Sequence, residues 1–344
     1  MHSVKTFRAE VIGHIQIGGE NSDLFKLRFR TNELQDIVPG QFIMINTKPI
    51  KKNTELKKNQ IINNFKARSY LKRPFGIYRA YYKDFNYDHL QKATIPGQLS
   101  AKSHTIFPDE FDVFYKVLKY GVGTNELKNV KEKEYIEITG PLGRRYDLKS
   151  IIKKGYKEIH VIGGGVGMAP LVFITQALKY FNLNVKAFIG IERYHLLQYK
   201  DNSYLGNPEN ARIFVDDLLD IGLKEDDIFV GIEKKEKKLD NTSGINLTEN
   251  ELISDTYRRY MKKCKNRDNI YAFACGPDPM MKAIYDITSE YNIPLEVLLE
   301  KRMACGIGVC LSCVCELKDK NGNEYYSRVC TDGPLYNSEE INWT

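Results

Sequence analysis

The feature that most constrains this chain is a cluster of cysteines near its C-terminal end. Among seven cysteines in 344 residues, Cys305, Cys310 and Cys313 form the pattern C-x4-C-x2-C, and Cys330 follows as a distant fourth. This spacing is typical of plant-type [2Fe–2S] centres. Two glycines inside the loop let it wrap a cluster closely, with backbone amides turned towards the sulfur atoms. We therefore expect these four cysteines to be cluster ligands within a separate module at residues 300–344.

Other uses of these thiols remain open at this point. A tetrathiolate zinc site is one alternative, although such sites usually pair two short C-x2-C units. Cys315 falls on the same face of an extended strand as Cys313, and we expect it to be a buried bystander, like Cys264. The odd number of cysteines, with no apolar N-terminal stretch, argues against a secreted disulfide framework and favours a cytoplasmic protein.

The first part of the chain, residues 1–150, carries the signals of β-strands. Short apolar or alternating runs are separated by turn residues such as Pro39 and Gly40, which favours a small antiparallel barrel or sandwich. The runs are residues 11–17, 24–30, 42–45, 111–118 and 135–139. Polar stretches near 47–69 and 83–105 interrupt them, and we expect these to be insertions on the barrel surface.

The second part, residues 151–299, alternates strands with helices. Strand runs at 158–162, 185–191 and 269–274 are followed by helical patterns, of which 169–180 and 277–289 are the clearest. This alternation predicts a parallel sheet with crossover helices, and thus a multidomain α/β chain. The region 194–250 is polar and reads as a further insertion. Residues 161–178 are uncharged over a membrane-like length, but four glycines and a proline argue against a span.

Two loops at strand ends are candidates for a nucleotide site. The run GGGVGMAP follows a strand and opens a helix, so its amides and the helix N-terminus could face a pyrophosphate. The run CGPDPM ends a later strand of the same sheet, and both loops should therefore face one cleft. Tight structural turns would explain either loop alone, but together they favour a shared nicotinamide dinucleotide site. The expected contacts are Gly164, Gly165, Gly167, Met168, Pro170, Cys275, Gly276 and Pro277.

Nucleotide preference is open from the residues themselves. Glu192 follows the strand after the glycine-loop helix, where a carboxylate could accept hydrogen bonds from a ribose diol. The neighbouring Arg193 could equally pair with a 2′-phosphate. In the barrel half, Arg73 could bind a phosphate, and Gly123 with Thr124 offer an amide and a hydroxyl. A salt-bridged arginine and a plain turn would explain that set as well.

Taken in order, the motifs resemble the ferredoxin–NADP reductase-like superfamily. The series is RPxxxY, GxGT, GPLG, GGGVGMAP, CGPDPM and a terminal iron–sulfur loop. The residues at 300–310 and 328–334 are more specific, and they resemble the electron-transfer subunits of class 1B dihydroorotate dehydrogenases. This resemblance implies FAD on the barrel, NAD on the second domain and one [2Fe–2S] cluster in the third.

The resemblance also implies particular flavin contacts on the barrel. They are Arg73, Pro74, Phe75, Gly76, Tyr115, Lys116, Gly123 and Thr124. Two features depart from the family pattern. Gly76 stands where the family usually has serine, so a backbone amide would have to replace a hydroxyl near the flavin. The gap between Lys116 and Gly123 is longer than usual, which weakens the assignment of Tyr115 and Lys116.

The resemblance implies that the chain receives electrons one at a time and passes them to an acceptor that takes two. Electrons from an FMN-containing partner that oxidises dihydroorotate would pass through the cluster and FAD to NAD+, within pyrimidine (UMP) biosynthesis, in a heterotetramer with two copies of each subunit. No acid–base catalytic residue is expected. Two other hypotheses remain. The chain could be a reductase subunit that serves a hydrogenase or a ferredoxin transhydrogenase, or a nucleotide-binding regulator with a structural zinc ion. The net charge of +7 is spread over polar runs and does not predict nucleic-acid binding.

Overall fold

The computed structural model describes most of the chain. The described residues are 4–18, 22–34, 37–50, 71–81, 110–197, 212–234 and 245–343. The insertions expected near 47–69 and 83–105 lie outside these ranges, apart from residues 47–50. No helix within the described ranges is long and apolar enough to cross a membrane.

An antiparallel sheet forms the first unit. Its side chains alternate between buried and partly exposed positions, as in Lys5–Ile17, which is the pattern of strands with one face on a core. The elements are β1 (Lys5–Ile17), β2 (Leu24–Arg30), β3 (Phe42–Ile50), β4 (Arg73–Gly76), β5 (Arg79–Tyr81), β6 (Glu110–Lys116), α1 (Val122–Leu127) and β7 (Tyr135–Leu142). Among the described strands the order is β4-β3-β7-β1-β2-β6-β5. Only Ile77 and Tyr78 join the two edge strands β4 and β5, so the sheet must curl into a barrel, as the sequence predicts.

A predominantly parallel sheet forms the second unit. Its elements are α2 (Lys149–Lys153), β8 (Glu158–Gly164), α3 (Met168–Tyr180), β9 (Asn184–Ile191), α4 (Val215–Asp220), β10 (Ile228–Ile232), β11 (Asn246–Glu249), α5 (Ile253–Lys263), β12 (Ile270–Cys275), α6 (Asp278–Glu290) and β13 (Leu295–Leu298). Short 3-10 helices lie at Gly165–Gly167, Tyr194–Leu197, Glu225–Asp227 and Ser338–Glu340.

The strand order places the topological switch point, where the order of the strands reverses, at the centre of this sheet. Among the described strands it is β11-β10-β9-β8-β12-β13, followed by one C-terminal strand at the edge. The first strand, β8, pairs with β9 on one side and with β12 on the other, all in parallel. In such sheets a crevice opens at the carboxyl ends of the strands on either side of the switch. Both predicted nucleotide loops stand at that crevice.

The C-terminal unit contains the cysteine loop and a hairpin of β14 (Val314–Lys318) and β15 (Glu324–Arg328). It is also tied to the second unit, because β16 (Leu335–Asn337) pairs antiparallel with β13 at the edge of the parallel sheet. The cysteine module is therefore anchored by backbone hydrogen bonds, which fixes its position relative to the crevice.

The region 194–250 is not simply an insertion. It contributes α4, β10 and β11, of which β10 is fully integrated between two parallel neighbours. The five apolar residues of β10 follow a run of acidic residues and precede a run of lysines, so the strand signal is short and locally diluted. The remainder of that range, residues 198–211 and 235–244, lies outside the described residues.

Barrel and parallel sheet are packed into each other. Phe173 of α3 lies in the barrel core, while Tyr78 lies in the core of the parallel sheet. The side chain of Gln176 exchanges two hydrogen bonds with the backbone of Ala80, donating to its carbonyl at 2.7 Å and accepting from its amide at 3.2 Å. The hydroxyl of Tyr78 donates to Asp217 at 2.5 Å.

Replacing Tyr78 with phenylalanine should destabilise this junction. The change removes only the hydroxyl, so the buried Phe214 amide loses this acceptor, while Asp217 loses a hydrogen bond and keeps its ion pair with Arg79. An unsatisfied buried group costs about 1–3 kcal/mol, so the free energy of unfolding should fall by that amount in chemical denaturation. Tyr326→Phe, at an exposed position of β15, is the matched control. Equal stability of the two variants would contradict this account of the junction.

Candidate cofactor site where three units meet

A cavity of about 450 Å³ lies between the barrel, the parallel sheet and the cysteine module. The barrel contributes three segments, 40–42, 74–76 and 114–116 with Leu118, and the parallel sheet contributes Val166, the start of α3 and Cys275. The segment leading into the cysteine loop contributes residues 298–301 and Met303. Residues from all three predicted cofactor regions therefore line one space, which is large enough for a flat heteroaromatic ring system.

The glycine loop and the CGP loop touch through their backbones. A Cβ on Gly167 would lie 2.4 Å from the carbonyl oxygen of Cys275, so only glycine fits there. At Gly164 an ideal Cβ would lie 3.1 Å from Cδ of Pro277 and 2.6 Å from Sδ of Met280, so the two loops are also close at this position. The loop turns through Gly165, whose φ of +54° favours glycine, and Met168 then opens α3. The sequence prediction that both loops face one cleft is supported by this contact.

On the barrel side, Arg73 and Gly123 come together. A Cβ on Gly123 would lie 2.8 Å from Nε of Arg73, so the guanidinium covers the start of α1. Nη1 of Arg73 donates to the carbonyls of Leu71 at 2.7 Å and of Lys72 at 3.4 Å, and no carboxylate among the described residues pairs with this guanidinium. The hydroxyl of Thr124 accepts from the amide of Leu118 and is thus used within its own loop. Arg73 keeps donors for an anionic group, whereas the side chain of Thr124 already has a structural role.

Tyr115 is held in place by His14, which the sequence did not single out. His14 Nδ1 donates to the carbonyl of Val130 at 2.8 Å, so Nε2 accepts from the Tyr115 hydroxyl at 2.9 Å. Burial lowers the pKa of His14, which keeps the ring neutral and able to accept this bond. The ring of Phe75 meets that of Tyr115 edge-on at 5.8 Å, and both line the cavity. An aromatic wall on the barrel results.

The other predicted barrel contacts differ in exposure. Pro74 lines the cavity on β4, and Lys116 does so at the end of β6, with its ammonium 3.5 Å from Asp23. At Gly76 an ideal Cβ would be only 3.3 Å from Pro170, which also lines the cavity. The absence of the family's serine at this position therefore coincides with a close approach between barrel and parallel sheet.

The four predicted ligand cysteines lie in the C-terminal unit, where backbone amides face their sulfur atoms. The Cys305 sulfur accepts from the amides of Ile307 and Cys310, both at 3.4 Å, and the Cys330 sulfur accepts from the amide of Gly308 at 3.1 Å. The loop can turn its amides inward because Gly306 and Gly308 have positive φ angles of +72° and +80°. Such amide–sulfur bonds are what a cluster with negatively charged sulfur atoms requires.

The thiols are arranged as two pairs rather than around one point. Cys310 lies within hydrogen-bonding reach of Cys305, and Cys330 lies within reach of Cys313. In the described part of the chain, no three cysteine, histidine or carboxylate side chains converge as a mononuclear site requires. Two pairs suit a two-iron centre, in which each iron takes two thiolates, better than a single tetrahedral zinc ion.

The thiols of the chain have different environments. A hydrogen bond with the Ser312 hydroxyl, at 3.1 Å, lowers the pKa of the exposed Cys310 to about 6. Burial raises the pKa of Cys275 well above its usual value, so this thiol is neutral where it lines the cavity. Cys315 is buried beside Tyr336, and burial raises its pKa too, as expected of a packing thiol. Cys264 is partly exposed, and it lies outside the cavity lining.

Sequence reasoning missed a carboxylate in the cavity lining. Glu300 stands between β13 and the cysteine loop, where its side chain retains solvent access yet is surrounded by enough protein to raise its pKa. The negative charge of Asp278 adds to that shift. Glu300 was visible in the sequence only as the start of the cysteine motif, and nothing local indicates that it would face the cavity.

Comparisons with known proteins agree with this arrangement. Residues 300–342 match the family model described as the iron–sulfur cluster binding domain of dihydroorotate dehydrogenase B. The chain is 28% identical over 303 residues to a protein of Caldanaerobacter subterraneus subsp. tengcongensis, covering 88% of this chain and 86% of that one. It is 30% identical over 231 residues to one from Clostridium perfringens, covering 67% and 76%. Both relatives are named dihydroorotate dehydrogenase B (NAD(+)), electron transfer subunit.

Solved structures define the class of fold. The structure of the NADH-dependent reduced ferredoxin-NADP oxidoreductase, described in work on flavin-based electron bifurcation, superimposes with a TM-score of 0.62 at 21% identity, covering 97% of this chain and 90% of that one. A ferredoxin NADP+ reductase from Neisseria gonorrhoeae gives 0.53 at 11% identity, covering 84% and 92%. The chain thus has the ferredoxin reductase-like fold. Within it, the chain belongs to the family of dihydroorotate dehydrogenase B electron transfer subunits.

Replacing Gly167 with alanine should open the contact between the two loops. The added Cβ has no room beside the Cys275 carbonyl, and such overpacking costs about 1–3 kcal/mol. We expect NADH to bind about tenfold more weakly in calorimetric titrations, because the amides of the loop would be displaced. Gly322→Ala, in the β14–β15 turn, is the control: alanine strains the turn at its φ of +82°, but the Cβ meets open space outside the cavity lining, so NADH affinity should stay unchanged. Unchanged NADH affinity in Gly167→Ala would contradict the assigned role of this loop.

Proposed function

We propose that this chain is an electron-transfer subunit that carries electrons from a dihydroorotate-oxidising, FMN-containing partner to NAD+, within pyrimidine (UMP) biosynthesis. The observation that carries the proposal is the shared cavity. Its walls come from the barrel, from the glycine and CGP loops, and from the segment entering the cysteine loop. The segment that enters the cysteine loop and the nucleotide loops therefore border one space, and the family relationship names the reaction that they serve.

The residues present suit three groups: FAD, NAD and a [2Fe–2S] cluster. When bound, FAD supplies the exchange between single electrons and hydride, which neither a cluster nor a nicotinamide provides alone. On the barrel, Arg73 offers charge for a phosphate, and Tyr115 with Phe75 offers a flat aromatic wall. The glycine loop presents amides at the start of α3 for a pyrophosphate. Cys305, Cys310, Cys313 and Cys330 would hold the cluster.

The residues of this chain orient the cofactors and surround them with an apolar environment, and none of them is proposed as a catalytic acid or base. Apolar side chains such as Leu298 and Leu299 line the space between the two loops and the cysteine module and limit the access of water. The neutral Cys275 thiol adds no charge where a nicotinamide would approach. The backbone contact between Gly167 and Cys275 fixes the distance between pyrophosphate loop and cavity, so orientation is set before substrate arrives.

The surface around Cys310 suits the catalytic partner. Cys310 is exposed, and the nearby side chains of Ile307, Val309 and Leu311 are 49%, 75% and 59% exposed. An apolar patch at the outer edge of a redox loop is a site for protein contact. We propose that the partner docks there, in a cytoplasmic complex with two copies of each subunit. We also propose that residues 1–150, 151–299 and 300–344 form three units, with β16 of the third pairing with the second sheet.

Dihydroorotate-dependent NAD+ reduction tests the proposal. The chain, co-purified with its FMN-containing partner, should reduce NAD+ when dihydroorotate is added anaerobically. Cys313→Ser removes a buried ligand and should abolish this reaction. The bound flavin of that variant should still be reduced by NADH, because the nucleotide site lies on the other units. Cys264→Ser, a thiol outside the cavity, should retain full activity.

Two results would contradict the proposal. Dihydroorotate-dependent reduction that survives Cys313→Ser would exclude electron flow through the cysteine loop. NADH reduction of the wild-type flavin without any response to dihydroorotate, in the presence of an active catalytic subunit, would instead indicate a reductase that serves another partner.

A further inference from the structure

The carboxyl ends of β9 and β10 carry an ion pair that the proposed function has not used. Glu192 follows β9, and Lys234 lies two residues after β10. Their backbones are joined, since the amide of Lys234 donates to the carbonyl of Glu192 at 2.9 Å. Their side chains meet as well, with Nζ of Lys234 donating to Oε1 of Glu192 at 2.5 Å. The two residues are thus fixed relative to each other by two independent bonds.

More positive charge surrounds this carboxylate than one lysine. Nε of Arg193 lies 4.0 Å from the same oxygen of Glu192. Lys116, which lines the cavity from the barrel, also acts on Glu192 across the cleft, and together these cations lower the pKa of the carboxyl. The hydrogen bond from Lys234 is the largest contribution. One carboxylate therefore offsets part of the charge of three cations at this point.

The ion pair lies where the adenosine half of a dinucleotide must pass. Strand β9 pairs directly with β8, and Gly164 of the glycine loop is opposite Gly190, two residues before Glu192. In parallel sheets of this kind, the pyrophosphate lies at the glycine loop and the ribose lies at the end of the adjoining strand. A carboxylate there accepts hydrogen bonds from the 2′- and 3′-hydroxyls and repels a 2′-phosphate, whereas lysine and arginine bind the phosphate.

We propose that Glu192, held by Lys234 and Arg193, is the residue that selects NAD(H) over NADP(H). This inference rests on the proposed function, because it takes the cleft to be the dinucleotide site. The carboxylate excludes the 2′-phosphate by its charge, and it occupies the two cations that would otherwise bind that phosphate. Selectivity in this chain therefore depends on a single charge, with a 2′-phosphate site already assembled around it.

Replacing Glu192 with glutamine should shift the nucleotide preference from NAD(H) towards NADP(H). The substitution removes the negative charge and frees Lys234 and Arg193, while glutamine keeps the size of the side chain. Calorimetric titration with 2′,5′-ADP and with 5′-ADP measures the effect of the 2′-phosphate without turnover. We expect the affinity of Glu192→Gln for 2′,5′-ADP, relative to 5′-ADP, to rise about tenfold, or about 1.4 kcal/mol. Reduction of the bound flavin by NADPH should accelerate in the same proportion relative to NADH.

Two further variants decide whether the cause is this ion pair. Glu233→Gln makes the same change of net charge on the adjacent residue of the β10 end, and its ratio should match the wild type. In the double variant Glu192→Gln/Lys234→Gln, the affinity for 2′,5′-ADP relative to 5′-ADP should return towards the wild-type value, because no freed lysine is present to bind the 2′-phosphate. An unchanged ratio in Glu192→Gln, or an equal rise in Glu233→Gln, would overturn the inference. Wild-type protein that binds neither 5′-ADP nor NADH would instead refute the proposed function itself.

Discussion

The architecture of the site depends on one backbone contact, that of Gly167 with Cys275 and Gly276. The glycine loop follows β8 and the CGP loop follows β12. These two strands are neighbours on either side of the topological switch point of the sheet. Because the two loops touch without side chains between them, the crevice that parallel sheets of this order open is narrow at its base. The start of α3 and Cys275 are thereby placed on one wall of the cavity, opposite the barrel.

The position of the other walls follows from how the remaining units are anchored. The barrel is tied to α3 by Gln176 and to α4 through Tyr78 and Asp217, so its aromatic wall cannot slide along the sheet. The cysteine module is tied to β13 through β16, and its loop packs against Met44 on the barrel strand β3. Each redox region is thus attached to at least one other by buried contacts. Electron exchange over short distances needs such fixed spacing, and the chain provides it without a dedicated catalytic side chain.

The sequence predicted best the features that are determined by residues close together in the chain. The cysteine spacing, the glycine loop before α3 and the alternation of β1 each determine their structure within a few residues. The strand β10 was missed because its five apolar residues lie between charged runs, and only pairing with β9 reveals it. His14 and Glu300 were missed for a different reason. Their importance arises from residues distant in the chain, Tyr115 and Val130 for His14 and the cavity lining for Glu300, and no local pattern records such contacts. The ion pair of Glu192 with Lys234 joins residues 42 positions apart in the same way.

The central claim is that one cavity, bordered by the nucleotide loops and by the segment that enters the cysteine loop, lies between the nucleotide site and the cluster. Anaerobic titration of the purified protein with NADH, followed by optical absorption for the flavin and by electron paramagnetic resonance for the cluster, tests it most directly. The account predicts that NADH bleaches the flavin and that the signal of a reduced [2Fe–2S] centre then appears, in amounts that match the iron content. Protein that holds zinc in place of iron, or a cluster that stays oxidised while the flavin is fully reduced by excess NADH, would contradict it.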